Sequence, residues 1–277
     1  MYHDKKLVLV FCLFFLILFA FAISYAIYIF PYVEKLKERK YSFKITVYDW
    51  NKKSHPFIVG PKNPYYVSWN NISSNVKWAV ILSEDSKFYR HHGVDYEALK
   101  QAFKKNLEMG RYVRGGSTIT QQLAKNLFLT REKTLIRKFK ELIIAFIMEM
   151  RLTKTRILEL YLNLAELGPM VYGVSHASHF YFGKGPSNLN PLESAMLSAL
   201  LPGPKIYNPY KNLDKVEVKA KKILKNMFLA GIIDKDTYKS LKDSKLVLGM
   251  ENKISVRKEI IDKETFQNYS TLLVPSN

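Results

Sequence analysis

The sequence predicts an all-α, mainly helical domain carried behind one transmembrane helix. Three observations predict it. An uncharged apolar run from Leu7 to Phe30 opens the chain, apolar residues recur at helical spacing from about Ser74 to residue 246, and strand-like patterning is confined to a short stretch before residue 70. The 277 residues are 48% hydrophobic and 14% aromatic, enough for a packed core, which excludes a wholly disordered chain. Lys and Arg number 43 against 24 acids, a formal charge of +19. That excess calls for a polyanionic partner: nucleic acid, an anionic membrane surface or a phosphate-bearing substrate. The sequence has no internal repeat and no low-complexity tract.

The Leu7–Phe30 run is long enough to cross the hydrocarbon core as one helix, at ~1.5 Å per residue. Lys5 and Lys6 precede it, and Tyr25, Tyr28 and Tyr32 suit an interfacial aromatic belt. Ala20-Phe21-Ala22 has the form of a signal cleavage site, but the run continues to Phe30, longer than a signal core, so it reads as an uncleaved anchor. Lys35, Lys37, Arg39 and Lys40 follow the span. A bare Lys/Arg count therefore places the C-terminal side in the cytoplasm, although long translocated domains escape that rule. The single cysteine, Cys12, lies inside the span, leaving the rest without disulfides or thiol chemistry.

The chain is thus divided into a tail (1–6), a span (7–30), a juxtamembrane stalk (31–69), a main domain (70–235) and a C-terminal tail (236–277). Residues 34–40 read as a helical extension of the span. Phe43–Val47, followed by Pro56, Gly60, Pro61 and Pro64, reads as a stalk or a short strand pair lying against the main domain. Val76, Ala79, Val80 and Leu82 begin a helix that leads into Glu84. Further helices are expected over Tyr96–Leu107, Ser117–Leu129, Leu135–Leu152, 154–164, about 171–182 and 191–201, with two Lys-rich ones in 213–246. The Leu135–Leu152 helix should bury Phe139, Leu142, Ile143, Phe146, Ile147 and Met150. Pro202 and Pro204 should stop the 191–201 helix. The last thirty residues show no period.

Four stretches place polar residues where a plain helical domain needs none. Glu84-Asp85, with Phe88, His91, Gly93 and Asp95 following, sets an acidic pair at the end of an apolar helix. A partly desolvated carboxylate there can work as a general base, and an exposed acidic turn capping the next helix would use the same residues. Arg114-Gly115-Gly116-Ser117-Thr118 opens a helix, with Thr118 and Gln121 spaced as a capping box. Backbone N–H groups at that positive helix end make an anion site, and Thr118, Gln122 and Lys125 share one face, which suits a diphosphate. A tight Gly-Gly turn with a serine cap is the plainer alternative, and the spacing is not that of a Walker A loop. Arg137-Lys138-x-x-Glu141 reads by default as a surface ion pair worth ~0.3–0.5 kcal/mol. Lys154 to Asn163 reads as core, with Tyr161 and Asn163 as polar anchors.

In this order and spacing the four stretches resemble the motifs of the family 51 glycosyltransferases, the transglycosylase domains of penicillin-binding proteins and their monofunctional relatives. A fifth match comes from Ala177, Tyr181-Phe182-Gly183-Lys184, Glu193, Ala195 and Pro202-x-Pro204. The resemblance covers about residues 70–235. It implies a lysozyme-like glycosyltransferase domain with a small membrane-associated jaw subdomain, polymerising lipid II into glycan strands with inversion and release of undecaprenyl diphosphate. On that resemblance Glu84 is the base for the acceptor GlcNAc 4-hydroxyl, and Glu141 is a second essential carboxylate. Lys125 and Arg137 neutralise the diphosphate, with Ser117, Thr118, Gln121, Gln122, Asn126, Asp85 and Lys138 as further substrate-site residues.

The implied partners are lipid II, the growing strand, the membrane and cell-wall synthesis or division proteins, and not nucleic acid. The resemblance fixes no cofactor and leaves a metal requirement open, with a divalent cation, Mg or Mn, as the candidate that Glu141 would help to position. The resemblance also implies a single-pass protein of the plasma (inner) membrane with its catalytic domain extracytoplasmic, against the Lys/Arg count. Leu164-Ala165-Glu166-Leu167-Gly168 departs from the family, where many relatives carry an aromatic residue before the glycine. Ser74-x-x-Lys77 and Ser255-x-x-Lys258 fit an acylating-serine pattern, but no Lys-Thr-Gly follows either, so a monofunctional enzyme is expected. His176-x-x-His179 has metal-like spacing without a third ligand and reads as structural. Two other readings remain: a lytic, hydrolytic lysozyme-like enzyme, and an inactive membrane-tethered lipid II-binding protein.

Overall fold

The computed structural model describes residues 2–49, 51, 53–111, 115–130, 132, 134–201, 203 and 207–249, with the side chains of 2–7 left aside. Arg114, Pro202, Pro204, the Ser255-x-x-Lys258 pattern and the side chains of Lys5 and Lys6 therefore lie outside the described residues. In chain order come α1 (Tyr2–Lys35), β1 (Phe43–Tyr48), β2 (Ser54–Val59), α2 (Ser74–Glu84), α3 (Tyr96–Glu108), α4 (Ile119–Phe128), α5 (Leu135–Arg151) and α6 (Lys154–Leu164). The short pair β3 (Glu166–Gly168) and β4 (Val171–Tyr172) follows, then α7 (Val174–Phe182), α8 (Pro191–Leu200), α9 (Leu213–Leu229) and α10 (Lys235–Lys242). Helix dominates, as the sequence predicts. The chain divides into two compact units, residues 1–41 with 89–157 and residues 42–88 with 158–277.

The first unit is built on the pairing of α1 with α5 and of α5 with α4. From Val8 to Phe19 the apolar side chains of α1 are exposed apart from the half-buried Leu18, as a membrane anchor requires. Lower down, Ile29, Val33 and Leu36 are buried. Arg151 donates to Glu34 at 2.8 Å, and the Arg156 guanidinium, itself buried, donates from Nε to the Leu36 carbonyl at 2.7 Å. Lys140 Nζ sits 5.2 Å from the Tyr25 ring centre, a cation over an aromatic face. The expected helical extension over 34–40 stops at Lys35, and residues 36–40 turn instead.

The buried face of α5 also differs from expectation. Glu141, Ile144, Ala145, Ile147 and Met148 are buried, whereas Phe146 and Met150 are exposed and Phe139, Leu142 and Ile143 are only half-buried. The stripe read from the sequence assumed that every apolar residue faces protein. In a unit that carries a membrane anchor, an apolar side chain need not be hidden to be stable.

The second unit centres on α8, whose residues from Leu192 to Leu200 are all buried. A helix covered on every side can carry small residues, and Ser194, Ala195, Ser198 and Ala199 let α2 and α9 approach closely. Helix α2 meets it through Val76, Ala79, Val80 and Ile81, and α9 contributes Val216, Ala220, Ile223, Leu224 and Met227. Asn190 and Glu193 form a capping box at the start of α8, and Lys184 pairs with Glu193 at 2.6 Å. The fifth motif is thus largely architectural: Tyr181 donates to the Leu167 carbonyl at 2.9 Å, and Gly183 ends α7 in the left-handed region at φ 66°.

Strands β1 and β2 pair antiparallel from Phe43 opposite Val59 to Tyr48 opposite Ser54, as the stalk pattern predicts. The β3–β4 hairpin was not predicted. The sequence places Val171 and Tyr172 at the start of a helix, but the helix begins at Val174, after Gly173. Gly173 holds φ 82°, and a Cβ there would stand 2.7 Å from the Asn163 carbonyl oxygen. Gly173→Ala is therefore expected to cost about 1–3 kcal/mol, measured by chemical denaturation. An unchanged midpoint would contradict the packing.

Candidate active site

In the second unit, α2 starts at Ser73, whose hydroxyl accepts the Asn75 N–H, and ends at Glu84. Asp85 leaves the helix with its N–H bonded to the Ile81 carbonyl, and its own carbonyl accepts from Phe88 at 2.9 Å. Asp85 is 6% exposed and Phe88 fully buried, while Glu84 is half-buried. The end of α2 is locked to α8: Ser83 Oγ lies 2.5 Å from Ser198 Oγ, which donates to the Ala79 carbonyl at 3.0 Å. Tyr161, 2% exposed on α6, feels the charge of both carboxylates. Burial first, then the charges of Glu84 and Asp85, push its phenol well above its ordinary range, so it stays protonated.

Two further anchors hold this surface. Asn163 accepts the Val67 N–H at 2.8 Å and donates back to the Val67 carbonyl at 2.9 Å. Glu159, fully buried, accepts from Trp69 N at 3.0 Å and from Tyr66 Oη at 3.3 Å; burial holds the Lys77 ammonium below its ordinary range, and the Glu159 charge opposes that shift. Asn163 and Tyr161 are the polar anchors the sequence predicts. Glu159 was missed, and the signal was there: an acid set between Leu158 and Leu160 in a helix.

In the first unit the capping box of α4 forms as predicted. Thr118 Oγ1 accepts the Gln121 N–H at 3.2 Å, and Gln121 Oε1 accepts the Thr118 N–H at 3.1 Å. Thr118 also donates to the Gly93 carbonyl at 2.6 Å, so the first motif's glycine fixes the second motif's helix. A Cβ on Gly93 would stand 3.3 Å from Glu149 Cγ, and one on Gly116 2.9 Å from Leu99 Cα, so both positions are closely packed. Thr120 donates to Glu149 Oε1 at 2.5 Å, and Lys154 reaches the same oxygen at 2.8 Å. Glu149, half-buried, is a second acid for which the sequence gives no role.

Beside this helix start stands a charged cluster. Arg137 Nη1 donates to Glu141 Oε2 at 2.5 Å, and Lys138 Nζ contacts Glu141 Oε1 while also bonding Ser117 Oγ at 3.0 Å. Glu141 is 2% exposed, so this is not the surface ion pair first read from its spacing. A buried carboxylate that holds two cations orients them far more firmly than an exposed pair does. Two cations against one carboxylate leave the cluster positive, and the buried Arg137 Nε has no hydrogen-bond partner. Of the other expected contacts, Lys125 and Gln122 are half-buried, Asn126 is exposed, and Gln121 is 3% exposed with its oxygen spent on the cap.

Chemically, the first unit offers fixed cations and a helix N-terminus to a phosphorylated group, and the second offers a half-buried carboxylate to a proton. The cluster does not fit a Mg or Mn ion at Glu141, because both carboxylate oxygens already face positive groups. Among the described residues no three His, Cys, Asp or Glu side chains gather as metal ligands.

His176 stacks on Tyr65 with ring centres 4.3 Å apart, and burial, with His179 nearby, pushes its pKa down to about 4. It therefore stays neutral in the folded chain at a pH where the unfolded chain binds a proton. Stability should fall by up to about 3 kcal/mol as pH drops from about 6.5 to about 4. Denaturation of His176→Gln, compared with the parent across that range, should show a shallower fall.

A family model described as transglycosylase matches residues 53–228. The chain belongs to the transglycosylase family. It is 41% identical over 178 residues to the biosynthetic peptidoglycan transglycosylase of Acinetobacter baumannii ATCC 17978, covering 64% of this chain and 77% of that protein. The protein of the same description from Alcanivorax borkumensis is 46% identical over 169 residues, covering 61% and 69%. That of Acinetobacter baylyi is 43% identical over 178 residues. Penicillin-binding protein 1A from Haemophilus influenzae aligns at 19% identity and a TM-score of 0.40, over 79% of this chain and 24% of that one. The match takes in every residue singled out above in the first four motifs. Glu84 and Tyr161 of the second unit, and the Arg137–Glu141–Lys138 cluster of the first, each lie within the residues matched.

Proposed function

We propose that the protein is a peptidoglycan glycosyltransferase that polymerises membrane-bound lipid II into glycan strands. The observation that carries this reading is the Arg137–Glu141–Lys138–Ser117 cluster beside the capped start of α4. It is a rigid, positive, partly unsatisfied site with the chemistry a diphosphate needs. A hydrolase of finished glycan has no diphosphate to hold.

In this reaction the Glu84 carboxylate takes the proton of the acceptor GlcNAc 4-hydroxyl. The freed oxygen attacks the donor's anomeric carbon from the face opposite the diphosphate. The bond between that carbon and the diphosphate oxygen breaks, the configuration inverts, and undecaprenyl diphosphate departs with the electron pair. Negative charge grows on the departing diphosphate, where Lys125, Arg137 and Lys138 stabilise it most strongly. Ser117, Thr118, Gln122 and Asn126 orient the donor. Anchoring by α1 keeps the enzyme in the same two-dimensional phase as its substrate. The anchor lies in the plasma membrane with the catalytic domain outside.

Two incubations test the reading. The full-length protein in detergent should lengthen strands from lipid II with release of undecaprenyl diphosphate, and should free no muropeptides from finished peptidoglycan. The reverse result would sink it. A reporter fused after Asn277 should signal from outside the cytoplasm, and a cytoplasmic signal would rule out the orientation.

A further inference from the structure

One acid that the mechanism above leaves aside joins the first, second and fourth motifs. Glu149 stands near the end of α5, about two turns beyond Glu141 on the same helix. Its side chain is 4% exposed. A single oxygen, Oε1, accepts from Thr120 Oγ1 at 2.5 Å and from Lys154 Nζ at 2.8 Å. Its stem packs against Gly93, where a Cβ would stand 3.3 Å from Cγ. The Gly93 carbonyl in turn accepts the Thr118 hydroxyl at 2.6 Å.

Thr118 caps α4, and Thr120, fully buried, is the second residue of that helix. A glutamine at position 149 would accept the same hydroxyl without desolvating a charge. What the carboxylate adds is stiffness, because a hydroxyl bonded to an ionised oxygen is held shorter and more strongly than one bonded to a neutral oxygen. A negative charge beside a helix N-terminus also weakens its attraction for anions. Lys154 on the same oxygen offsets that charge, so the first turn of α4 stays positive.

Helix α5 carries Arg137, Lys138 and Glu141 as well, and Lys138 holds Ser117 at 3.0 Å. The start of α4 is therefore fastened to α5 at two points, Ser117 before the cap and Thr120 after it. We propose that Glu149 is a positioning residue for the diphosphate site: through Thr120 it fixes the first turn of α4 relative to Arg137 and Lys138. An anion held by backbone N–H groups of one helix and cations of another needs both at a constant spacing. This rests on the reading of the cluster as the holder of a lipid-linked diphosphate.

The test is inhibition of the full-length enzyme by undecaprenyl diphosphate, the released product, with lipid II as substrate. Thr120→Val keeps the shape of the side chain and removes the hydroxyl. Its inhibition constant should rise by about tenfold, and KM for lipid II should rise with it. Thr120→Ser returns the hydroxyl and should return both constants to the parent values. Glu149→Gln keeps an oxygen for Thr120 without the charge, so its constant should fall between those of the parent and Thr120→Val. A role in stability alone reduces the amount of folded enzyme but leaves the inhibition constant of the folded fraction unchanged.

A parent-like constant in Thr120→Val overturns the proposal, as does an equal loss in Thr120→Ser. If Thr120→Val does not fold, Glu149→Gln decides: a raised constant supports the proposal and a parent-like one overturns it. The parent enzyme separates the two failures. A parent that undecaprenyl diphosphate does not inhibit overturns the diphosphate reading, whereas an inhibited parent with an unmoved Thr120→Val overturns only the role of Glu149.

Discussion

Glu84→Gln is expected to lower turnover of lipid II by about 10²–10⁴-fold while leaving its binding nearly unchanged. The carboxamide has almost the same shape, so the end of α2 and the Ser83–Ser198 lock should survive. What it loses is the ability to accept a proton. A general base acts only as the acceptor oxygen becomes a nucleophile, so the deficit belongs in kcat and not in KM. Fluorescent lipid II makes both visible: strand length by gel, binding by anisotropy. A variant that still polymerises at the parent rate would remove Glu84 from the chemistry.

The second large effect belongs to Glu141→Gln. This change leaves Arg137 and Lys138 facing each other across a neutral amide that can accept from only one oxygen. A charged hydrogen bond to a buried carboxylate contributes about 1.5–3 kcal/mol, and the part-exposed Lys138 places the net loss toward the lower end. Denaturant titration should register that loss. Turnover should fall further than stability does, by at least about tenfold, because the two cations would no longer hold the spacing a developing diphosphate charge requires. Parent-like turnover and parent-like stability together would show that the cluster is incidental.

The patterns that sequence resolves best are those written in adjacent turns of one helix. Thr118 and Gln121 announce their cap, and the cap is there with both bonds made. Tyr161 and Asn163 stand out as polar residues in an apolar run, and both proved to be buried anchors. Failures came where the partner is distant in sequence or where the solvent changes. Glu159 answers Trp69, and Asn163 answers Val67, across 90 or more residues, which no local pattern encodes. Phe146 and Met150 were read as core because apolar periodicity cannot distinguish protein from lipid. The Arg137–Glu141 pair looked like an ordinary surface bridge because spacing says nothing of depth. Glu149 is one acid near the end of α5, and its contact with Thr120, 29 residues away in the chain, is what sets it apart.

The burial of Val33 and Leu36, with Arg151 on Glu34 and Arg156 on Leu36, has a mechanical consequence. A flexible tether would let α5 wander in height and azimuth above the lipid headgroups. Here the anchor and α5 move as one strut, so Arg137 and Glu141 keep a set altitude. For the lipid-linked donor proposed above, lateral diffusion alone would then bring its phosphates to the level of these cations. Adding one residue to α1 above Phe30 would turn its upper part by about 100° and lift it by about 1.5 Å. The lipid-facing stripe, not the catalytic groups, would then have to readjust to the bilayer.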